Sequence, residues 1–316
     1  MMNALAMNPA STRRDLLKGL TAATLSAAAF PYGVLAATAD RSPLIATNTY
    51  PWSTFARRDG QSLTLHTDEL LKQISSTGIN GYEPIINSPD EFQGLKQRLQ
   101  QHSLVMKSLY VNSVLHDPAQ VDGSSAAVLA IAREAKSLGT EIIVTNPSPI
   151  RWGGTEDKTD RQLRIQADAL NQLGQELRKL GLTLAYHNHD AELRQGAREF
   201  HHMLTATDAQ NVRFCLDAHW VFRGCGDSEV AVMDALKHYD DRVVELHLRQ
   251  SLDGIWTEVF AMNGDIDYRR IFDHLRTEGI QPHYVLEQSI EAASPHKLSV
   301  VDAHRISCRN LKKALA

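Results

Sequence analysis

Eight short β-rich runs recur along this chain, near residues 44–50, 81–86, 104–111, 141–146, 182–189, 212–219, 243–249 and 283–289. Helical patterns separate or follow them at 68–76, 90–101, 126–138, 162–180, 199–205, 229–237, 268–277 and 296–315. A strand that returns parallel to its predecessor needs a crossover, and a helix is the usual one, so this alternation predicts parallel βαβ units. Start signals agree: Ser88-Pro89-Asp90 and Ser294-Pro295 place a proline in a first helical turn, where its fixed φ is favourable. Gly78, Gly139, Gly181 and Gly279 stand just past helices, as C-terminal caps do. Eight such pairs in about 270 residues are the size of a (β/α)₈ barrel. The rival is an open doubly wound sheet, but no G-x-G-x-x-G turn follows the first strand. The expectation is one α/β domain, a single barrel over residues 40–316.

In a barrel one face of each strand meets the helices and the other lines the interior. On the fifth run Leu182, Leu184 and Tyr186 form the outer set, leaving Thr183, Ala185, His187 and His189 inside. The sixth puts Phe214, Leu216 and Ala218 outward and Cys215, Asp217 and His219 inward. The seventh gives Val244, Leu246 and Leu248 outward and Glu245, His247 and Arg249 inward. On the eighth, Tyr284 and Leu286 point out while His283, Val285 and Glu287 point in. Each strand thus delivers polar groups to the axis near its C-terminal end, where barrel active sites lie. Imidazoles and carboxylates converging from separate strands suit a divalent cation: Mn²⁺, Co²⁺, Zn²⁺, Fe²⁺ or Mg²⁺. The alternative is a hydrogen-bonded polar plug, which burial of uncompensated charge disfavours.

The first forty residues read as an address. Arg13-Arg14 precedes the uncharged stretch from Gly19 to Ala39, and Ala37-Thr38-Ala39 offers a small-residue cleavage site before Asp40. The paired arginines resemble a twin-arginine export signal, with Leu16 where an aromatic is usual. Residues 1–39 are therefore expected to engage the twin-arginine export machinery and deliver a periplasmic protein, cleaved or loosely anchored. A stable membrane span is the alternative, weakened by Ala- and Thr-rich composition and by Pro31. Removing a segment of net +2 (Arg13, Arg14 and Lys18 against Asp15) takes the formal charge from −4 to −6. Such a chain lacks the basic surface a nucleic-acid partner requires. Cys215, Cys225 and Cys308 match no zinc spacing and read as buried thiols.

Several segments carry a likeness: Gly78-Ile79-Asn80-Gly81-Tyr82-Glu83, Ala185-Tyr186-His187-Asn188-His189-Asp190, Leu216-Asp217-Ala218-His219-Trp220 and Leu246-His247-Leu248-Arg249. Gly264-Asp265-Ile266-Asp267-Tyr268 and Val285-Leu286-Glu287-Gln288 complete it. In this order they resemble the sugar phosphate isomerase/epimerase family, with its xylose-isomerase-like TIM barrel, across 44–316. The resemblance implies metal ligation by Glu, Asp, His and Glu from strands five to eight. Asp217, His247 and Glu287 match residue by residue; the first position departs, because Tyr186-His187-Asn188-His189 offers no Glu. The Tyr-His-x-His form resembles the branch of inosose dehydratases and keto-sugar-acting relatives, and makes His187 the expected fourth ligand.

The chemistry so implied is removal of a proton beside a carbonyl of a keto-sugar, keto-glycoside or keto-cyclitol, by Glu287 or His189. Returning the proton gives isomerisation or epimerisation; expelling a β-oxygen gives dehydration or another elimination. Glu83, Asn146 and Arg249 are expected hydroxyl or anion contacts. The long loop from Ser251 to Asp267 offers Trp256 and Glu258, the former able to stack on a sugar face. For Glu83 a cap or rim salt bridge, and for Trp256 a loop anchor, are the plainer readings. Competing functions are a non-catalytic periplasmic sugar-binding protein and a metal-dependent endonuclease on the same barrel.

Overall fold

The structure, a computed structural model, describes residues 43–316; the export signal read from residues 1–39 lies outside the described residues. Eight strands make one parallel sheet: β1 (Ile45–Asn48), β2 (Gly81–Glu83), β3 (Ser108–Tyr110), β4 (Ile142–Thr145), β5 (Thr183–His187), β6 (Val212–Asp217), β7 (Val243–Leu248) and β8 (His283–Leu286). Their order is β2-β1-β8-β7-β6-β5-β4-β3, so the first and last strands are neighbours. The ends approach closure through backbone bonds from Tyr82 N to Val105 O and from Ile86 N to Tyr110 O, both 2.9 Å. This is the expected (β/α)₈ barrel.

Side-chain parity partitions the core. Leu184, Tyr186, Phe214, Leu216, Leu246, Leu248 and Leu286 pack against the helices, while Tyr110, Ile142, Val144, Ala185 and Cys215 form a separate apolar plug inside the barrel. Val244 departs from its expected outward position and packs against that inner plug. Phe214 pairs with Val243 but Cys215 pairs with Glu245, a one-residue bulge that breaks the alternation.

Helices α2 (Asp68–Ser76), α4 (Val121–Lys136), α5 (Asp160–Lys179), α8 (Glu229–Tyr239) and α9 (Tyr268–Thr277) follow the sequence pattern. The run at 90–101 divides: a 3₁₀ turn at Pro89–Phe92 is followed by α3 (Leu95–Gln101), because Gly94 at φ +69° resets the chain. The last helix, α10 (Val300–Leu315), starts later than residue 296, with Ser299 rather than Ser294 as its cap. Two short helices escaped the periodicity, α1 (Thr49–Arg58) and α7 (Ala218–Gly224), each springing directly from a strand end. Between them in the chain lies α6 (Arg194–Ala206). Gly78, Gly139, Gly181 and Gly279 all take left-handed φ past helix ends, as their capping role requires. The three cysteines are unpaired thiols. No helix of the described residues is long and apolar enough to cross a membrane.

Candidate active site

Side-chain amides continue the barrel's hydrogen-bond ladder past its strand ends and so fix the residues displayed there. Asn146 Nδ2 donates to His187 O at 2.9 Å. Asn188 Nδ2 donates to Asp217 O while Asp217 N donates to Asn188 Oδ1, both at 3.1 Å. Gln250 N donates to Gln288 Oε1 at 2.7 Å, and Gln288 Nε2 returns to Gln250 O at 3.2 Å. With backbone groups paired in this way, the strand termini stay ordered without regular pairing.

On this frame His187, Asp217, His247 and Glu287 each place one donor atom within 4.8 Å of the others, all four buried. Their remaining bonds explain which atoms are free. Asp217 caps α7 through Oδ1, which accepts from Trp220 N at 2.9 Å, and its buried Oδ2 accepts no hydrogen bond. His187 turns Nδ1 toward Cys215 Sγ at 3.7 Å, leaving Nε2 buried and unpartnered. Two orphaned, buried electron-pair donors beside a second imidazole and a second carboxylate form a donor set that fits a divalent cation. His247 Nδ1 meets Glu287 Oε2 at 3.0 Å, and its Nε2 faces Glu83 at 3.0 Å and Glu245 at 3.3 Å.

Electrostatics divide the groups. Burial opposes charge on His247, but Cys215, Glu83 and Glu287 outweigh it and hold the imidazole well above its ordinary range. Burial likewise opposes ionisation of Glu287, and His247 and Arg249 overcome it, so Glu287 is held below the usual carboxylate range. Glu83 is brought down to about 2, against its burial, chiefly by His247, whereas burial and Glu83 push Glu245 up to about 8. Asp217 rises to about 6 through burial, with Arg249 opposing. Burial pushes His189 down to about 3, so its imidazole is neutral, with Nδ1 unpartnered.

A cavity of ≈ 440 Å³ opens above these groups, its wall including Tyr50, Tyr110, Trp152, His189, Arg249 and Glu287. Arg249 is 1% exposed and anchored three ways. Nε donates to Glu287 O at 3.1 Å, Nη2 donates to Glu287 Oε2 at 2.9 Å, and Asp217 Oδ2 lies 3.6 Å away. Its guanidinium lies over both Trp220, at 4.9 Å, and Trp256, at 4.4 Å. Arg223 lies over Trp256 too, at 4.6 Å, and pairs with Glu291 at 2.8 Å. A guanidinium fixed on its faces by indoles and along one edge by Glu287 keeps a defined plane; its buried Nη1 takes no protein partner.

The other expected contacts fall elsewhere. Trp256 is buried behind Arg249 and does not line the cavity. Asp265 holds it there, accepting from Ser251 Oγ at 2.6 Å and from Asp253 N and Gly254 N at 2.9 Å, which ties down the hairpin Ser251–Leu252/Ile255–Trp256. Glu258 is a loop anchor, paired with Arg58 at 2.7 Å and accepting from Lys297 N and Leu298 N. Glu83 is fully buried beneath the cavity, bonded by Asn48 Nδ2 at 2.6 Å and Ser108 Oγ at 2.8 Å. Asn146 is spent on the strand ladder. Tyr50, Asn112 and Trp152 on the cavity wall were not foreseen, because they stand on loops or helix starts where strand parity gives no signal.

The sequence model of the xylose isomerase-like TIM barrel family matches residues 71–308. The chain belongs to this family. An inosose dehydratase of Clostridium perfringens is 22% identical over 259 residues, 73% of this chain and 85% of that one. Among solved structures, a sugar phosphate isomerase/epimerase from Parabacteroides distasonis superposes with TM-score 0.67 at 17% identity, covering 88% of this chain and 95% of that one. The 3-keto-D-glucoside 4-epimerase from E. coli gives TM-score 0.63 at 16% identity, with 86% and 99% covered. These structural likenesses show the barrel fold.

Proposed function

We propose that this barrel is an enzyme that removes a proton from the carbon beside a carbonyl of a keto-sugar, keto-glycoside or keto-cyclitol. The observation that carries the reading is the buried four-donor cluster with two orphaned atoms, whose ionised Glu287 lines a cavity shared with the neutral imidazole of His189. His187, Asp217, His247 and Glu287 would hold a divalent metal ion. Such an ion supplies electrophilic polarisation of substrate oxygens and lowers the barrier to C–H ionisation.

The chain's own groups supply the rest. Both side-chain bonds of Glu287 go to Oε2, from His247 and Arg249, so Oε1 is the oxygen available to accept the substrate proton. Arg249 fixes that carboxylate and offers Nη1 to a substrate oxygen. His189, neutral on the same wall, can accept a proton or return one. Tyr50, Tyr110, Trp152 and Trp220 give the cavity an aromatic wall. Arg249 is the cavity's one cationic side chain among the described residues and already serves carboxylates, which supports an unphosphorylated substrate and weighs against an endonuclease.

Between outcomes we favour loss of a β-oxygen over epimerisation, supported by the relative named inosose dehydratase. The setting we propose is the periplasm, supported by Arg13-Arg14 ahead of the uncharged 19–39 segment; N-terminal sequencing of the periplasmic fraction should begin near Asp40. The test of function is turnover of a panel of keto-cyclitols and 3-keto-glycosides by the metal-loaded protein, with product analysis. An unsaturated product supports elimination and an epimer supports proton return. Sugar binding without turnover of any member would favour the binding-protein alternative.

A further inference from the structure

Trp152 stands on the cavity wall with 54% of its surface exposed, although large aromatic side chains are ordinarily covered. Its loop, between β4 and α5, is not free to fold away. Arg194 pairs with Asp157 at 2.9 Å and donates to Gly154 O at 2.9 Å, Arg151 pairs with Glu156 at 3.0 Å, and Lys158 Nζ donates to Pro147 O at 3.0 Å. Arg194 begins α6, a few residues past His189, so one segment both carries His189 and pins the Trp152 loop. The indole meets His189 edge-on with centroids 5.2 Å apart, and His189 meets His187 at 4.8 Å. Trp152 therefore lies one ring farther than His189 from the four-donor cluster. Tyr50, 37% exposed, lines the same cavity.

We infer that Trp152 and Tyr50 form a stacking subsite for a second ring of the substrate, a pyranose or an aryl group, joined to the ring that reacts beside Glu287. The inference rests on the proposed keto-sugar chemistry and narrows it to glycosides over free monocyclic substrates. The ≈ 440 Å³ of space agrees, since pockets of about 300–1,000 Å³ enclose drug-sized ligands and one six-membered ring leaves much of this one empty. An indole face recognises the flat C–H face of a sugar or an aromatic ring without charge.

The test uses the full chain with unreactive glycosides, so that affinity is read apart from catalysis. Calorimetric dissociation constants are measured for a methyl glucoside, a 4-nitrophenyl glucoside and a glucosyl disaccharide. The wild type should bind at least one ring-bearing ligand about five- to tenfold more tightly than the methyl glucoside, and which one shows whether the subsite takes aryl or pyranose rings. Trp152→Ala should abolish that advantage and Trp152→Phe should keep most of it. No preference in the wild type, or equal weakening of all three ligands by Trp152→Ala, would overturn the subsite. Deuterium exchange into a keto-sugar lacking an aglycone reads the underlying chemistry separately. Exchange without ring preference removes the subsite alone, and ring preference without exchange in any keto-substrate removes the chemistry alone.

Discussion

Replacing Glu192 with glutamine isolates a single buried charge behind the site. Glu192 is 1% exposed; its Oε2 accepts the His189 backbone N–H at 2.6 Å and its Oε1 is unpartnered. Lys158, the cation whose charge reaches Glu192, is already engaged by Glu199 at 2.6 Å. Burial first, then repulsion from Glu199, push the Glu192 carboxyl from 4.5 to about 7, with Lys158, the His189 amide and Asn146 pulling the other way. A carboxyl raised in the folded state binds its proton there while the unfolded chain has released it. Stability from this group is therefore fully present below about pH 4.5 and is lost as pH rises through about 7. At about 1.4 kcal/mol per pH unit, the displacement corresponds to about 3 kcal/mol. Glutamine keeps an oxygen for the His189 N–H and has no proton to lose. Urea unfolding of metal-free wild type and Glu192→Gln across pH 5 to 8 should show the variant gaining on the wild type by up to about 3 kcal/mol, most of it between pH 5 and 7. A stability difference constant across that range would refute the assignment of a buried, proton-holding carboxyl.

Glu287→Gln should lower kcat by about 10²–10⁴-fold with KM within a few-fold, as loss of a general base does; unchanged turnover would remove Glu287 from the chemistry. Trp256→Leu takes one indole from the Arg249 stack and should cost about 5- to 30-fold in kcat/KM, the equivalent of about 1–2 kcal/mol. Trp256→Phe should recover most of that loss, and equal losses in the two variants would argue for a packing role only. Chelation should lower the melting temperature relative to protein with metal at ~1,000 times its dissociation constant, where binding contributes about 4 kcal/mol and hence roughly 7 °C for a domain of this size. Identical melting curves would argue against the four-donor site.

The barrel was legible from one periodic rule, and the four donors from that rule together with the family resemblance, which picked them out among inward residues such as His189, His219, Glu245 and His283. Alternation along β5 to β8 puts His187, Asp217, His247 and Glu287 on the inner face near the strand ends, and the structure brings their donor atoms together. The same rule misplaced Val244, because a bulge inserts one residue without changing the apparent pattern. It could not say that Glu83 would sink beneath the cavity under Asn48, Ser108 and His247, since burial depth depends on partners distant in sequence. Loop residues were the least readable. Trp256 and Trp152 both sit in long connections, and only the ties made by Asp265 and Arg194 decide that the first packs behind Arg249 while the second faces the cavity. The seven-residue α7 offered too few turns to show a period, and α1 begins inside the run read as the first strand, 44–50.

The central claim, metal-dependent proton abstraction on this floor, is tested most directly by following deuterium uptake from D₂O into a keto-cyclitol or 3-keto-glycoside by NMR. The measurement compares chelated protein, protein reloaded with one equivalent of a divalent ion, and reloaded Glu287→Gln. The account predicts deuterium at the carbon beside the carbonyl with the reloaded wild type, none above background with the chelated protein, and a loss of at least about a hundredfold in rate with the variant. Uptake that persists without metal, or reloaded protein that exchanges no faster than buffer, would contradict it.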